Sequence, residues 1–357
     1  MENKNKTIIA ITLFITVIGV LGTYVTYYTP NTGDAKQITD MLNRKVNVPN
    51  QINKVMATTP PNTLIIYMIA PDKLGGWNKN VNGQLMQEKY KKLPVIGGWI
   101  GTQQGNYETW ISKNPDAIFE GWNVQGGANR TIKERQTKFG EIPVVGVVGD
   151  TNVTQLPQSI RFMGKFLDAE EKADKLVAFY DKVFTKVNST TSKIPEKQKK
   201  KVYYASGSEG LQTAPSGSLN TQIIDICGGK NAAEIPLQHP SKYFDVSMEQ
   251  VIDWNPDIII ASNPHAYKNI NNDSKWQNVK AVKEKKVYLV PQDPFNWIDQ
   301  PPSANTILGA VWMAKTLYPD KFQDLDMESL TKEFYSEFYH YQLTDEQLDS
   351  LLNPQSS

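Results

Sequence analysis

The stretch NYETWISKNPDAIF, residues 106–119, reads as a short helix, a proline turn and a buried strand. SMEQVIDWNPDIII, residues 247–260, repeats it. A constant shift of 141 positions places Glu108 on Glu249, Asn114 on Asn255, Pro115 on Pro256 and Asp116 on Asp257. Proline interrupts a helix and pushes the residue before it toward extended backbone. The Asn-Pro-Asp steps therefore read as architecture, built once in each of two like lobes. The glutamate eight residues ahead of each aspartate has a weaker structural reason: the helix dipole favours it by about 0.3–1 kcal/mol.

Working outward, the first region carries strand-like runs at NTLIIYMIA, PVIGG, DAIFEG and IPVVGVVG. Helical spacing separates them at NGQLMQEKYKKL and RTIKERQTKFG, and the same grammar returns after Lys200 in KVYYASG, LNTQIIDICGG, DIIIAS and KVYLVPQ. Short apolar strands alternating with helices predict an α/β fold of two Rossmann-like lobes with parallel sheets. Between the lobes, apolar residues from Ile160 to Val183 recur every three or four positions, with no proline or glycine from Lys165 to Lys193. That pattern predicts one long helix of about 30 residues, a strut of about 45 Å. The expected division is 1–30 for an anchor or signal, 31–38 linker, 39–155 N-terminal lobe, 156–193 interlobe helix and 194–357 C-terminal lobe with terminal helices.

The 357 residues are enough for two cores. Lys+Arg at 38 against Asp+Glu at 37 gives no electrostatic reason to expect nucleic acid. The single cysteine, Cys227, excludes an intrachain disulfide, and its apolar setting reads as a buried helix end. An uncharged apolar run begins at Ile8 and ends at Tyr28, behind Lys4 and Lys6. It is long enough to cross a bilayer and predicts an N-terminal transmembrane segment, with the bulk of the chain on the outer face of the cytoplasmic membrane. Cleavage as a signal peptide is the alternative.

No phosphate-binding glycine loop or nucleophile elbow is present, and His239, His265 and His340 lack the paired spacing of a zinc site. These features argue against an enzyme and against an intrinsic cofactor. Open α/β sheets bind ligands at the carboxyl ends of their strands. That rule selects Trp77, Trp99, Trp122 and Arg130 in the first lobe, and Ser206, His265, Tyr267 and Trp297 in the second; His265 is the leading candidate for direct metal contact, with Tyr267 as the alternative. Tryptophans, an arginine and small polar loops suit a bulky, partly apolar, anionic ligand. A membrane-anchored α/β transferase is the competing reading, with Glu120, Asp293 and Asp299 as isolated carboxylates.

The chain resembles the substrate-binding proteins of ABC importers, of the helical-backbone class that captures iron–siderophore complexes, haem, vitamin B12 and other metal chelates. The resemblance rests on LNRKVNVPNQINKVMA, APDKLGGW, the paired corners, NVKAVKEKKVYLVP and FNWIDQPPSANTILGAVWMAKTLYP. Trp297, Asp299, Pro301 and Ser303 form the W-x-D-x-P-x-S pattern of its iron-complex branch. It implies a monomer that traps a metal chelate, an iron–siderophore-type complex above a corrinoid, haem or nickel complex. It also implies a dimeric permease with its ATPase as partner, met by Glu108 and Glu249, one from each lobe. The lipidated cysteine of bacterial relatives is missing, and the apolar segment would replace it as tether.

Overall fold

The computed structural model describes residues 35–99, 104–121, 128–239 and 242–354; the expected anchor segment lies outside them. β1 (Ala35–Thr39) and β2 (Lys45–Pro49) form an antiparallel hairpin, so the tail of the expected linker is already folded. Asp40 explains why. It accepts the backbone N–H groups of Leu42 and Arg44, pairs with the Arg44 guanidinium at 2.6 Å, and accepts Gly146 N–H at 3.0 Å. The hairpin is thereby tied to the first sheet.

That sheet is parallel, in the order β3 (Val55–Ala57), β4 (Ala117–Glu120), β5 (Val144–Gly146). The C-terminal lobe contains β6 (Lys201–Ala205), β7 (Gln212–Thr213), β8 (Lys230–Asn231), β9 (Phe244–Asp245), β10 (Ile258–Ala261) and β11 (Val287–Leu289). Its parallel sheet runs β11-β10-β6-β8, with β7 and β9 as a small antiparallel pair. Side chains alternate across a strand, and both sheets use the alternation in the same way. Val55, Ala57, Phe119 and Val145 of the first sheet and Val202, Tyr204, Ile258 and Ile260 of the second face one shared apolar core. Their neighbours Met56, Ile118 and Val144, or Tyr203, Ile259 and Ala261, fill a separate cluster belonging to each lobe.

The run NTLIIYMIA is a helix, not a strand. Pro60–Ile69 is helical, with prolines in its first turn, and all but its first residue are buried. A helix buried all round has no amphipathic period to read, and the prolines that start it fix the φ it needs. PVIGG contributes a single bridge, Val95 to Trp77, and NGQLMQEKYKKL only the four-residue helix Glu88–Lys91.

The expected single strut is a helical hairpin, Leu156–Phe166 and Glu170–Thr191. The break falls at Asp168, which adopts a left-handed φ of 50°. A Cβ on Gly164 would lie 2.4 Å from the Ala173 Cβ, so the bare glycine lets the second helix fold back against the first. The longer arm has 22 residues, about 33 Å. Helix Thr306–Leu317, buried on nearly every side, packs against it. No helix among the described residues is long and apolar enough to cross a membrane.

Candidate functional site

A cavity of about 360 Å³ opens between the lobes at the carboxyl ends of the strands. The N-terminal lobe supplies the start of helix Pro60–Ile69 and residues 77–83; the C-terminal lobe supplies the loop after β11, from Gln292 to Pro301. Trp77 and Phe295 give it apolar walls, their rings 5.8 Å apart. Lys79 stands at its edge, exposed and without an ion pair among the described residues.

The walls are held from behind. Asn78 is buried, accepting from Thr63 Oγ1 at 2.6 Å and donating to the carbonyls of Ala57 and Gly97. Asn296 donates to Ser262 O and accepts from the N–H groups of Ile298 and Asp299. By contrast, the side chains of Asn80, Asn82 and Gln300 make no hydrogen bond with other described residues, which leaves them available to a guest.

Three sets of contacts stitch the lobes together, the first of them at the cavity itself. Asp293 accepts the N–H groups of Gln84 and Leu85, each at 2.8 Å, where Gly83 lies against Pro294. Ser303 Oγ donates to Pro61 O at 2.9 Å. Gln222 accepts from Val153 N and donates to Thr151 O.

Beside the cavity residues Gln300 and Pro301 lies Asp299, 5% exposed. It accepts Tyr204 Oη–H at 2.6 Å on one oxygen, while the other has no partner. Burial pushes its carboxyl up to about 7, against the opposing pull of Tyr204 and of Lys79 across the cleft.

Of the residues selected from sequence, Trp77 lines the cavity, with its indole N–H given to Tyr90 O at 2.8 Å. Trp297 is fully buried one layer below, donating to Tyr335 Oη, and a Cβ on Gly309 would strike its carbonyl. Trp99 packs with Tyr107, Trp110 and Phe139 under the Arg135 guanidinium, 4.1 Å from its ring. Arg130 is exposed and 3.9 Å from Glu134. Ser206 is buried and bonded to Ser262 at 3.1 Å. His265 is exposed in the first turn of helix Pro264–Asn272, beside a separate shallow depression, and Tyr267 packs half-buried on the second lobe's cluster. Trp122 lies outside the described residues. No group of three or more His, Cys, Asp or Glu side chains among the described residues could hold a metal ion. Lys79, Asn80, Asn82 and Gln300 escaped the sequence reading although they neighbour its tryptophans in GGWNKNVNG and FNWIDQ; choosing the aromatic residue passed over the polar ones beside it.

The carboxylates considered for a transferase have separate duties. Glu120 pairs with Arg135 at 3.2 Å, Asp293 caps two N–H groups, and Asp299 receives Tyr204.

The doubled corner repeats its caps and turns in register. Asn106 and Ser247 cap their helices, accepting from Thr109 N and Gln250 N. Asn114 and Asn255 take left-handed φ values of 48° and 47°, so asparagine makes the turn that proline then fixes. Asp116 accepts Asn53 and Lys54 N–H groups, and Asp257 accepts Lys201 N–H, clamping each corner to the strand beside it. Glu108 and Glu249 are exposed in the first turns.

A family model described as "Periplasmic binding protein" matches residues 55–294, which include both parallel sheets and the cavity lining as far as Pro294. The chain belongs to the periplasmic binding protein family. A solved solute-binding protein of an ABC transporter from Sulfurospirillum deleyianum is similar over 88% of this chain and 98% of that one, with TM-score 0.81 and 31% identity. The molybdate-binding protein MolA of Haemophilus influenzae is 26% identical over 85% of this chain and 90% of its own. A vitamin B12-binding protein of Pectobacterium carotovorum is 26% identical over 54% of this chain and 65% of its own. This periplasmic binding protein is therefore a substrate-binding protein of the ABC-importer type and not an enzyme. Its guest is transported cargo rather than a resident cofactor, and it works with a permease and an ATPase.

Proposed function

We propose that this binding protein captures a compact anionic metal species, an iron–siderophore-type chelate or an oxometalate, in the cavity between residues 77–83 and 292–301. The observation that carries the reading is Lys79, a cation without an ion pair among the described residues, set beside Trp77 and Phe295 and near the uncommitted amides of Asn80, Asn82 and Gln300. Aromatic walls suit a chelate's organic shell, and lysine with amide donors suits anionic oxygen. A volume of about 360 Å³ lies at the small end of ligand pockets, which favours an oxometalate or a small chelate over a bulky siderophore complex, a corrinoid or haem. Ser206, His265 and Tyr267 in the second lobe, and Trp99 and Arg130 in the first, do not line this cavity and would meet only a larger chelate. Glu108 and Glu249 dock the loaded protein on the two halves of the permease, and residues 8–28 hold it at the outer membrane face.

Calorimetric titration of the full-length protein with molybdate, tungstate, ferric catecholate and hydroxamate chelates, haem and cobalamin tests the ligand reading. We expect saturable binding of one anionic metal species, weakened at least tenfold in Lys79→Ala. Binding of cobalamin alone, or an affinity indifferent to Lys79, overturns it.

A further inference from the structure

The 141-residue register extends to an exposed apolar residue. Ile111 and Ile252 occupy equivalent positions in the two corners, with relative exposures of 38% and 40%. Single exposed aliphatics are ordinary on any surface. The other two large exposed hydrophobics among the described residues, Val95 and Leu237, have no such counterpart: position 236 is proline, and Ile96 is buried. Between glutamate and isoleucine, Trp110 and Val251 point into their lobes and are fully buried. Each isoleucine follows its glutamate by three positions, which puts both on one outward helical face. Neither Glu108 nor Glu249 has an ion-pair partner among the described residues, so each face presents an unneutralised carboxylate beside bare apolar surface. The caps at Asn106 and Ser247 and the clamps at Asp116 and Asp257 hold both faces to their sheets.

We propose that Ile111 and Ile252 are the apolar half of a two-point docking surface, whose partner is the paired permease presenting, on each half, a cationic side chain bordered by an apolar socket. This rests on the reading that Glu108 and Glu249 meet the permease, and adds a contact that salt does not screen. Charge alone gives encounter rate and orientation, while desolvated aliphatic surface slows dissociation.

The test measures binding of the full-length protein to the importer's permease–ATPase complex in lipid nanodiscs, with ligand affinity and unfolding midpoint as controls. We expect Ile111→Ser and Ile252→Ser each to weaken permease binding about tenfold, mainly through faster dissociation, with both controls unchanged. Ile252→Leu should restore tight binding if an apolar contact is what counts. Wild-type affinity in the double serine variant would overturn the aliphatic contact alone. Wild-type affinity in Glu108→Lys/Glu249→Lys would overturn the docking reading beneath it. A loss that Leu fails to rescue would show a steric role at that position and also refute the proposal.

Discussion

Asp299→Asn isolates one buried charge. Burial raises the Asp299 carboxyl from 3.8 to about 7. Between those values the folded protein holds a proton that the unfolded chain has released, so stability must fall as pH rises through the window. A shift of about three units corresponds to about 4 kcal/mol over the full range, of which about 2.6 kcal/mol falls between pH 5 and pH 8. Asparagine keeps an acceptor for Tyr204 Oη–H and places an amide where the second carboxylate oxygen has no partner. Urea unfolding of the wild type and of Asp299→Asn at both pH values is the assay. The variant should gain about 2.6 kcal/mol relative to wild type on going from pH 5 to pH 8, about 1 M in midpoint at a slope of about 2.5 kcal/mol per molar. Parallel pH profiles for the two proteins would refute the argument, because every other titrating group is common to both.

Asp116→Ala and Asp257→Ala should each cost about 1–2 kcal/mol in denaturant unfolding by releasing the backbone donors at a strand start. The two losses should add, since they lie in different lobes. Gly83→Val should destabilise by about 1–3 kcal/mol and weaken ligand binding, because a Cβ there would come within 2.5 Å of the Pro294 Cα; full stability and affinity would show that this approach is not constrained. Cys227 is fully buried and its thiol is pushed well above its ordinary value, so a thiol reagent should react only as fast as the protein unfolds.

The sheets were legible where strands were continuous apolar runs flanked by turns: DAIFEG, KVYYASG, DIIIAS and KVYLVPQ became β4, β6, β10 and β11. Helix Pro60–Ile69 was misread because burial on every side erased its period, leaving the two prolines as the only local signal. The break at Asp168 was invisible because its cause is tertiary: Gly164 touching Ala173 nine residues later. Trp77 was selected as following a strand that proves to be helix Pro60–Ile69, yet it lines the cavity, while Trp297, beyond the true strand β11, turns into the core toward Tyr335. Two tryptophans chosen on the same ground thus have opposite fates, and only packing decides which side chain faces the cavity.

The apolar core common to both sheets sets how cargo can be handed over. Prising the lobes apart would expose the seam between the sheets and the helical hairpin. A few hundred Å² of it at about 25 cal/mol per Å² costs several kcal/mol. Loosening the loops at 77–83 and 292–301 exposes far less. We expect spin labels on the two lobes, away from these loops, to keep their separation when cargo leaves. A change of many ångströms would contradict this. Unloading then resembles opening fingers on a fixed palm, with the scaffold behind the cavity serving as a ruler that holds the two Asn-Pro-Asp corners at constant span whether the protein is full or empty.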